Sequence, residues 1–154
     1  MPITSEDTST IIRILKQLEL FKGLNEGDHT EIVKRITLEY NPKNHTLFNE
    51  GDTGDTFFII KRGMVRIYHE APTPEQEKDT AMLGDGDFFG EMALISDKPR
   101  NATAQTVEES EVFKLKKDDF NLSLLRQILK ALESEEYFLN PRPVLQTEEI
   151  RSSS

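Results

Sequence analysis

The sequence predicts an α+β fold in which an antiparallel β-barrel of the jelly-roll type is flanked by N-terminal helices and a C-terminal helix. Between Thr37 and Leu115, short segments rich in β-branched and aromatic residues recur. They lie about ten residues apart with Gly/Asp turns between them, which is typical of antiparallel barrels and sandwiches. On both sides of this region the apolar residues follow helical spacing instead. With 154 residues, the chain is long enough for one domain with a sizeable core and short for two.

An N-terminal helical segment, residues 1–19, is expected to precede the barrel. Its first ten residues are rich in Thr, Ser and acidic residues, which predicts a frayed start. Helical spacing begins at Ile11 and continues through Ile14, Leu15 and Leu18. The segment 20–24 predicts a turn in which Gly23 stops the first helix, and Asn25 is expected to cap a second one. The apolar face of that second helix is Ile32, Val33 and Ile36.

The barrel strands are expected at residues 36–40, 46–48, 56–60, 64–68, 79–83, 103–107 and 112–115. A polar hairpin loop, residues 71–78, precedes the fifth of them. The connections contain Gly51, Gly54, Gly63, Gly84 and Gly86. We interpret these glycines as turn-forming residues rather than ligand contacts, because glycine adopts the backbone conformations that tight turns require.

Helical spacing resumes at Asp118 and predicts the C-terminal helix. Its apolar stripe is Phe120, Leu124, Leu125, Ile128, Leu129 and Leu132. This stripe packs either on the barrel of its own chain or against a second copy as a homodimer seam, and the spacing alone allows both. Asn140-Pro141-Arg142-Pro143 ends the helix, and residues 139–154 are interpreted as a tail or linker.

The composition excludes several function classes. The chain has no cysteine, which excludes disulfides and thiolate chemistry. Its formal net charge of −9 argues against direct nucleic-acid binding. Its start lacks a signal-peptide pattern, and no apolar run approaches the roughly 20 residues of a membrane span, so a cytoplasmic location is expected. The three histidines are isolated in sequence, which disfavours the metal site of a cupin-like enzyme, and no hydrolase or P-loop motif is present.

The segment Phe89–Ala104 is the most informative part of the chain. It combines Glu91, Arg100 and a series of small residues within a region of strands. The planar donors of an arginine suit a phosphate, a carboxylate accepts from a sugar hydroxyl, and glycine and alanine let a ligand approach backbone N–H groups. The segment therefore predicts a pocket for a small phosphorylated sugar, without any catalytic residue.

Three segments together resemble the cyclic nucleotide-binding domain, the family of the bacterial catabolite activator, the regulatory subunits of protein kinase A and the cyclic-nucleotide-gated channels. Residues 20–24 resemble the entry segment, residues 51–63 the paired-glycine strand and turn, and residues 89–104 the phosphate-binding cassette of that family. All three occur in the family's order and spacing. The resemblance implies a binding domain over residues 20–138 with a C-terminal lid helix, and cyclic AMP or cyclic GMP as its ligand.

The resemblance also implies roles for individual residues. Glu91 takes the position that bonds the ribose 2′-hydroxyl, and Arg100 the position that pairs with the exocyclic phosphate oxygens. Backbone N–H groups around Gly90, Ala93 and Ala102 complete the anion cradle, with the start of a short helix near Glu91. Ile67 matches an apolar position against the base, and the expected binding residues are Gly90, Glu91, Met92, Ala93, Arg100, Asn101, Ala102 and Ile67.

Purine selectivity and the regulated partner stay open at this point. Asn101, which follows the cassette arginine, has both a donor and an acceptor and can bond either purine, with cyclic AMP slightly favoured as the common bacterial messenger. Tyr137 and Phe138 are the aromatic candidates for a lid over the base. The residues after Leu132 are too few for a helix-turn-helix domain, so the chain is either a stand-alone sensor or part of a longer protein.

Two alternatives remain beside nucleotide binding. In the first alternative, Glu91 and Arg100 form a simple salt bridge across a turn. In the second, the domain is a degenerate barrel that binds no nucleotide and acts as a dimerisation or protein-interaction scaffold. The presence of both cassette residues favours the binding module.

Overall fold

The computed structural model describes residues 2–21, 24 and 26–122. Its helices are α1 (Ser5–Leu15) and α2 (Glu26–Val33), with short 3-10 turns at Glu19–Phe21, Pro74–Gln76 and Glu91–Leu94. Its strands are β1 (Thr37–Asn41), β2 (Thr46–Phe48), β3 (Thr56–Arg62), β4 (Val65–His69), β5 (Lys78–Leu83), β6 (Phe88–Phe89), β7 (Thr103–Thr106) and β8 (Ser110–Lys116). Residues 117–122 begin a further helix. Within these described ranges, no helix is long and apolar enough to cross a membrane.

The eight strands form two antiparallel sheets, as the jelly-roll prediction requires. The first sheet has the order β1-β8-β3-β6 and the second the order β2-β7-β4-β5. Sequence neighbours such as β1 and β2 therefore lie in different sheets, while β1 pairs with β8 at the far end of the described strands. The two sheets are not closed into one continuous barrel. Among the described strands, β6 is the one that the sequence did not predict, and its two residues pair with Phe58 and Ile59 of β3.

The first sheet is covered on both faces, which explains the apolar run in β3. Phe57 and Ile59 pack with the buried faces of α1 and α2, whereas Phe58 and Ile60 pack between the two sheets. All four side chains are at most 4% exposed. Because successive strand residues point to opposite faces, a strand without polar alternation is expected where both faces are buried. The sheet that contains β3 is therefore the layer between the helices and the second sheet, and it supports the cavity described below.

The N-terminal helix begins earlier than its apolar spacing predicts. The expectation of a frayed start is wrong for residues 5–10, because Thr4 and Asp7 form a capping box. The Thr4 hydroxyl accepts from the Asp7 N–H, and the Thr4 N–H donates to the Asp7 carboxylate, both at 3.0 Å. These two bonds satisfy backbone groups that a helix start leaves without partners. Asp7 is also buried, with Lys61 Nζ of β3 3.2 Å from its carboxylate.

The Asp7–Lys61 ion pair predicts an acid-dependent stability. Burial by itself would raise the pKa of Asp7, but the hydrogen bonds from Thr4 and Lys61 outweigh it and lower the pKa below its usual value. A carboxyl with a lowered folded-state pKa stabilises the fold above its unfolded-state pKa, and this contribution is lost as the pH falls through the folded-state pKa. Asp7→Asn should lower the free energy of unfolding at neutral pH by about 1–3 kcal/mol.

Urea unfolding of the wild type and Asp7→Asn at neutral and acid pH checks this expectation. The two proteins should converge in stability at acid pH. Glu6→Gln, an exposed carboxyl in the same helical turn, is the matched control and should change little at either pH. A constant difference between Asp7→Asn and wild type across the range would show that the charge of Asp7 does not contribute.

Some predictions fall on residues outside the described ranges. Gly23, Asn25, the stripe from Leu124 to Leu132, the two aromatic lid candidates and the tail 139–154 belong to this group. The homodimer seam therefore stays a prediction. Of the stripe, Phe120 is described: it is buried and packs edge-on against Phe21, with ring centroids 5.4 Å apart.

Candidate functional site

The candidate site is built around a left-handed glycine that follows the short strand β6. Gly90 has φ of 81°, and the chain then forms the 3-10 turn Glu91–Leu94. Residues other than glycine rarely adopt this φ, so glycine is the residue that lets the strand turn directly into the 3-10 segment. The short helix that the family resemblance implies near Glu91 is thus a single 3-10 turn. The Ala93 N–H donates to the Gly90 carbonyl at 3.1 Å within it, so this predicted cradle donor is already engaged.

A cavity of about 430 Å³ lies between this turn, the loop before β7 and the second sheet. A cavity of this size falls within the range of about 300–1,000 Å³ that is typical of small-molecule sites. All eight residues expected from the sequence line it: Ile67, Gly90, Glu91, Met92, Ala93, Arg100, Asn101 and Ala102. Ala93 and Ala102 are buried, Asn101 is exposed, and the Met92 side chain is 58% exposed.

Arg100 lies in the cavity wall, and no ion pair joins it to another of the residues that the structure describes. Its Nη2 donates to the Thr56 carbonyl at 2.7 Å, and its guanidinium carbon lies 4.0 Å from the centre of the Phe48 ring. Its Nε is buried and has no hydrogen-bond partner. Among the residues that the structure describes, no ion pair joins Arg100 to Glu91, so the alternative of a simple salt bridge between them is wrong.

Two glycine backbones leave the space that the Arg100 side chain occupies. A Cβ atom on Gly54 would lie 2.2 Å from Arg100 Nε, and one on Gly90 would lie 2.8 Å from Arg100 Nη1. Both distances are too short for non-bonded heavy atoms. Three of the five glycines interpreted as turn-forming have positive φ, namely Gly51, Gly63 and Gly86, whereas Gly54 and Gly84 do not. For Gly54, close contact with Arg100 therefore explains the absence of a side chain better than turn formation does.

The main chain fixes the position of Arg100 as well. The Arg100 N–H donates to the Asp52 carbonyl, and the Gly51 N–H donates to the Arg100 carbonyl, both at 2.7 Å. Pro99 forms an isolated antiparallel bridge with Thr53 in the same region. The loop that carries the arginine is thus attached to the glycine-rich loop 51–55, although the two are far apart in sequence.

The electrostatics of Arg100 favour an anion in the cavity. Burial lowers the pKa of Arg100 from its usual value, while the negative charges of Asp55 and Asp52 oppose that effect. A desolvated guanidinium without a paired carboxylate gains free energy when an anion replaces its lost hydration. No group of three or more His, Asp or Glu side chains within the described ranges is placed to hold a metal ion.

Five further residues line the cavity but were not among the predicted site residues: Phe48, Phe89, Ser96, Lys98 and Pro99. Four of them lie inside the segment Phe89–Ala104, in which the sequence had already predicted the pocket. Phe48 comes from β2, far from the segment in sequence, and only the pairing of β2 with β7 brings it beside Arg100.

A family model described as the cyclic nucleotide-binding domain matches residues 38–127. This region is more than half of the chain and contains every predicted site residue. The chain belongs to the cyclic nucleotide-binding domain family. The family resemblance inferred from the sequence is thereby confirmed.

Curated relatives and solved structures agree with this family. The chain is 36% identical over 98 residues to human cGMP-dependent protein kinase 2, covering 64% of this chain and 13% of that protein. It is 30% identical over 122 residues to the cAMP-dependent protein kinase regulatory subunit of Candida albicans, covering 79% and 25%. A cyclic nucleotide-binding-like protein from Brucella abortus matches with a TM-score of 0.67 and 28% identity, covering 74% of this chain and 97% of that one.

The chain spans a quarter or less of the length of these two kinase relatives. What it shares with them is therefore the regulatory cyclic nucleotide-binding domain.

Proposed function

We propose that this domain binds a cyclic mononucleotide and acts as a regulatory sensor that transmits binding to an attached domain or partner protein. The observation that carries the proposal is Arg100, a partly buried guanidinium in the wall of a ligand-sized cavity with no ion pair to Glu91. Arginine in such a setting is suited to a phosphate because its planar donors match phosphate oxygens. Because the chain belongs to the cyclic nucleotide-binding domain family, we expect the phosphate to be that of a cyclic nucleotide.

In this proposal each predicted residue has a role in the cavity. Arg100 pairs with the exocyclic phosphate oxygens, and Glu91 accepts from the ribose 2′-hydroxyl. The backbone around Gly90, Met92, Ala93 and Ala102 surrounds the phosphate. The Ala93 N–H reaches a phosphate only by sharing or giving up its bond to the Gly90 carbonyl.

The base is expected to lie against the second sheet. Ile67 of β4 offers an apolar contact, and the exposed Asn101 offers both a donor and an acceptor to the purine edge. We keep cyclic AMP as the favoured ligand over cyclic GMP. The names of the relatives include both nucleotides, so the comparison of the two affinities is part of the test.

The helix that begins at residue 117 provides a route by which ligand binding in the cavity is transmitted to an attached domain or partner protein. The Lys117 N–H donates to the Asp55 carbonyl at 2.7 Å, and Lys117 Nζ donates to Asp97 at 2.6 Å. The second bond lowers the pKa of Asp97. Arg35 near the end of α2 lies 3.6 Å from Asp119 of the same helix. Because the loop around Asp97 also supplies cavity residues, a ligand that favours one position of this loop shifts the population of helix positions.

Titration with cyclic nucleotides tests the proposed function. We expect saturable heats with cyclic AMP and cyclic GMP, with tighter binding of cyclic AMP, and weak or no binding of adenosine 5′-monophosphate. A ligand that binds only the folded protein stabilises it by about 2.7 kcal/mol at 100 times its Kd. Thermal unfolding in excess nucleotide should therefore give the same ranking.

The scaffold alternative makes the opposite prediction. A degenerate domain would fold normally but show neither heat nor thermal stabilisation with any of the three nucleotides. The regulatory, non-enzymatic role and the cytoplasmic location are part of the same proposal, as are the unidentified effector and homodimerisation through the C-terminal helix.

A further inference from the structure

A cluster of three phenylalanines lies directly behind Arg100. Phe48 of β2, Phe58 of β3 and Phe89 of β6 come from both sheets. The Phe58 and Phe89 rings are stacked with centroids 5.0 Å apart, and Phe48 lies 5.7 Å and 6.0 Å from them. We call these residues the aromatic cluster. Because Phe58 and Phe89 are buried, they restrict the orientation of the Phe48 ring.

Phe48 presents the face of its ring to the Arg100 guanidinium. The guanidinium carbon is 4.0 Å from the Phe48 centroid and 5.9 Å from that of Phe58. A cation over an aromatic face is attracted by the ring quadrupole, and a planar guanidinium also stacks on the ring. Phe48 is therefore the nearest aromatic contact of the arginine within the described residues.

The remaining contacts of the guanidinium do not determine its plane. The Thr56 carbonyl holds only Nη2, and Gly54 and Gly90 contribute backbone without side chains. Nε has no hydrogen-bond partner, and none of the carboxylates in the described part of the chain forms an ion pair that would fix the orientation of the donors. A bidentate ion pair would orient an arginine by two parallel hydrogen bonds, and residues 2–21, 24 and 26–122 provide none for Arg100.

We propose that Phe48 is a positioning residue for Arg100. Its ring face fixes the plane of the guanidinium, so that the N–H groups not bonded to Thr56 point towards the phosphate. This inference rests on the proposed function for its ligand, but the Phe48–Arg100 contact exists without ligand. An aliphatic residue of similar size fills the space at position 48 but lacks the quadrupole. Phosphate affinity and the local environment of Arg100 should therefore depend on the aromatic ring rather than on its volume.

The test compares Phe48→Leu, Phe48→Tyr and Phe88→Leu with wild type. Phe88 is the matched control: it is a partly buried phenylalanine of β6 that contacts Phe57 on the helix side and does not line the cavity. Phe48→Leu should bind cyclic AMP about 3- to 30-fold more weakly. Phe48→Tyr, which keeps the ring, should restore most of the affinity, and Phe88→Leu should bind like wild type.

The Nε–Hε resonance of Arg100 in the ligand-free protein gives the second readout. Its ¹⁵N relaxation order parameter should be high in wild type and Phe48→Tyr and lower in Phe48→Leu, because the guanidinium then lacks the ring face that fixes its plane. An unchanged order parameter in Phe48→Leu, or equal affinity of Phe48→Leu and Phe88→Leu, would overturn the inference. A weaker affinity with an unchanged order parameter would mean that Phe48 touches the ligand itself and does not act through Arg100. If wild type binds no nucleotide, the proposed function fails, and the order parameter alone decides whether Phe48 orients Arg100.

Discussion

Arg100→Ala is expected to weaken binding of cyclic AMP by roughly 100- to 10,000-fold. A hydrogen bond between charged groups contributes about 1.5–3 kcal/mol, and the guanidinium offers two such bonds to the phosphate, which gives about 3–6 kcal/mol. The remaining cavity retains contacts to the sugar and base but has no cation of comparable burial among its described lining residues. Calorimetric titration with cyclic AMP measures the loss.

The fold itself should tolerate this substitution. Among the described residues, the Arg100 side chain makes one hydrogen bond, to the Thr56 carbonyl, and its Nε has no partner. Removing the side chain therefore also relieves the desolvation of a charge. Arg62→Ala is the matched control, because Arg62 is 70% exposed, pairs with Glu111 and lies outside the cavity. Arg62→Ala should bind cyclic AMP like wild type. If Arg100→Ala binds within a few-fold of wild type while folding normally, Arg100 is not the phosphate residue.

The parts of the site that were predictable lie close together in sequence. Gly90, Glu91 and Arg100 belong to one segment, so the resemblance of that segment to a known cassette was enough to place them in a common cavity. The long-range contacts of Arg100 were not predictable in the same way. Phe48 and Gly54 reach the arginine through strand pairing and loop contacts across about fifty residues, and local periodicity carries no signal for such pairing.

The fold shows the same division. Most strands were predicted because alternation and turn residues are local signals, and the apolar run Phe57–Ile60 was recognisable as a buried strand. The two-residue strand β6 is too short for any periodicity. The start of α1 was missed because its capping box uses aspartate at the third helical position, where glutamate or glutamine is the usual partner.

Gly54→Ala should weaken cyclic AMP binding by about 10-fold or more while leaving the protein folded. The new Cβ atom would lie 2.2 Å from Arg100 Nε and 2.5 Å from its guanidinium carbon, so the arginine side chain must move. The clash falls on a flexible side chain, and Gly54 has no positive φ that would strain an alanine, so unfolding should change little. The guanidinium, however, loses the position from which its donors address the phosphate, and displacements of about 1 Å are enough to impair such a site.

Gly84→Ala provides the matched control for this prediction. Like Gly54, Gly84 lies in a connection between strands and has no positive φ, but a Cβ atom there would meet only a backbone oxygen, at 3.9 Å. Gly84→Ala should therefore leave both affinity and stability near wild type. The double variant Gly54→Ala/Arg100→Ala should bind no more weakly than Arg100→Ala alone, because alanine at position 54 acts only by displacing the arginine. A further loss in the double variant would show that Gly54 has a role in binding that is independent of Arg100, such as direct backbone contact with the nucleotide.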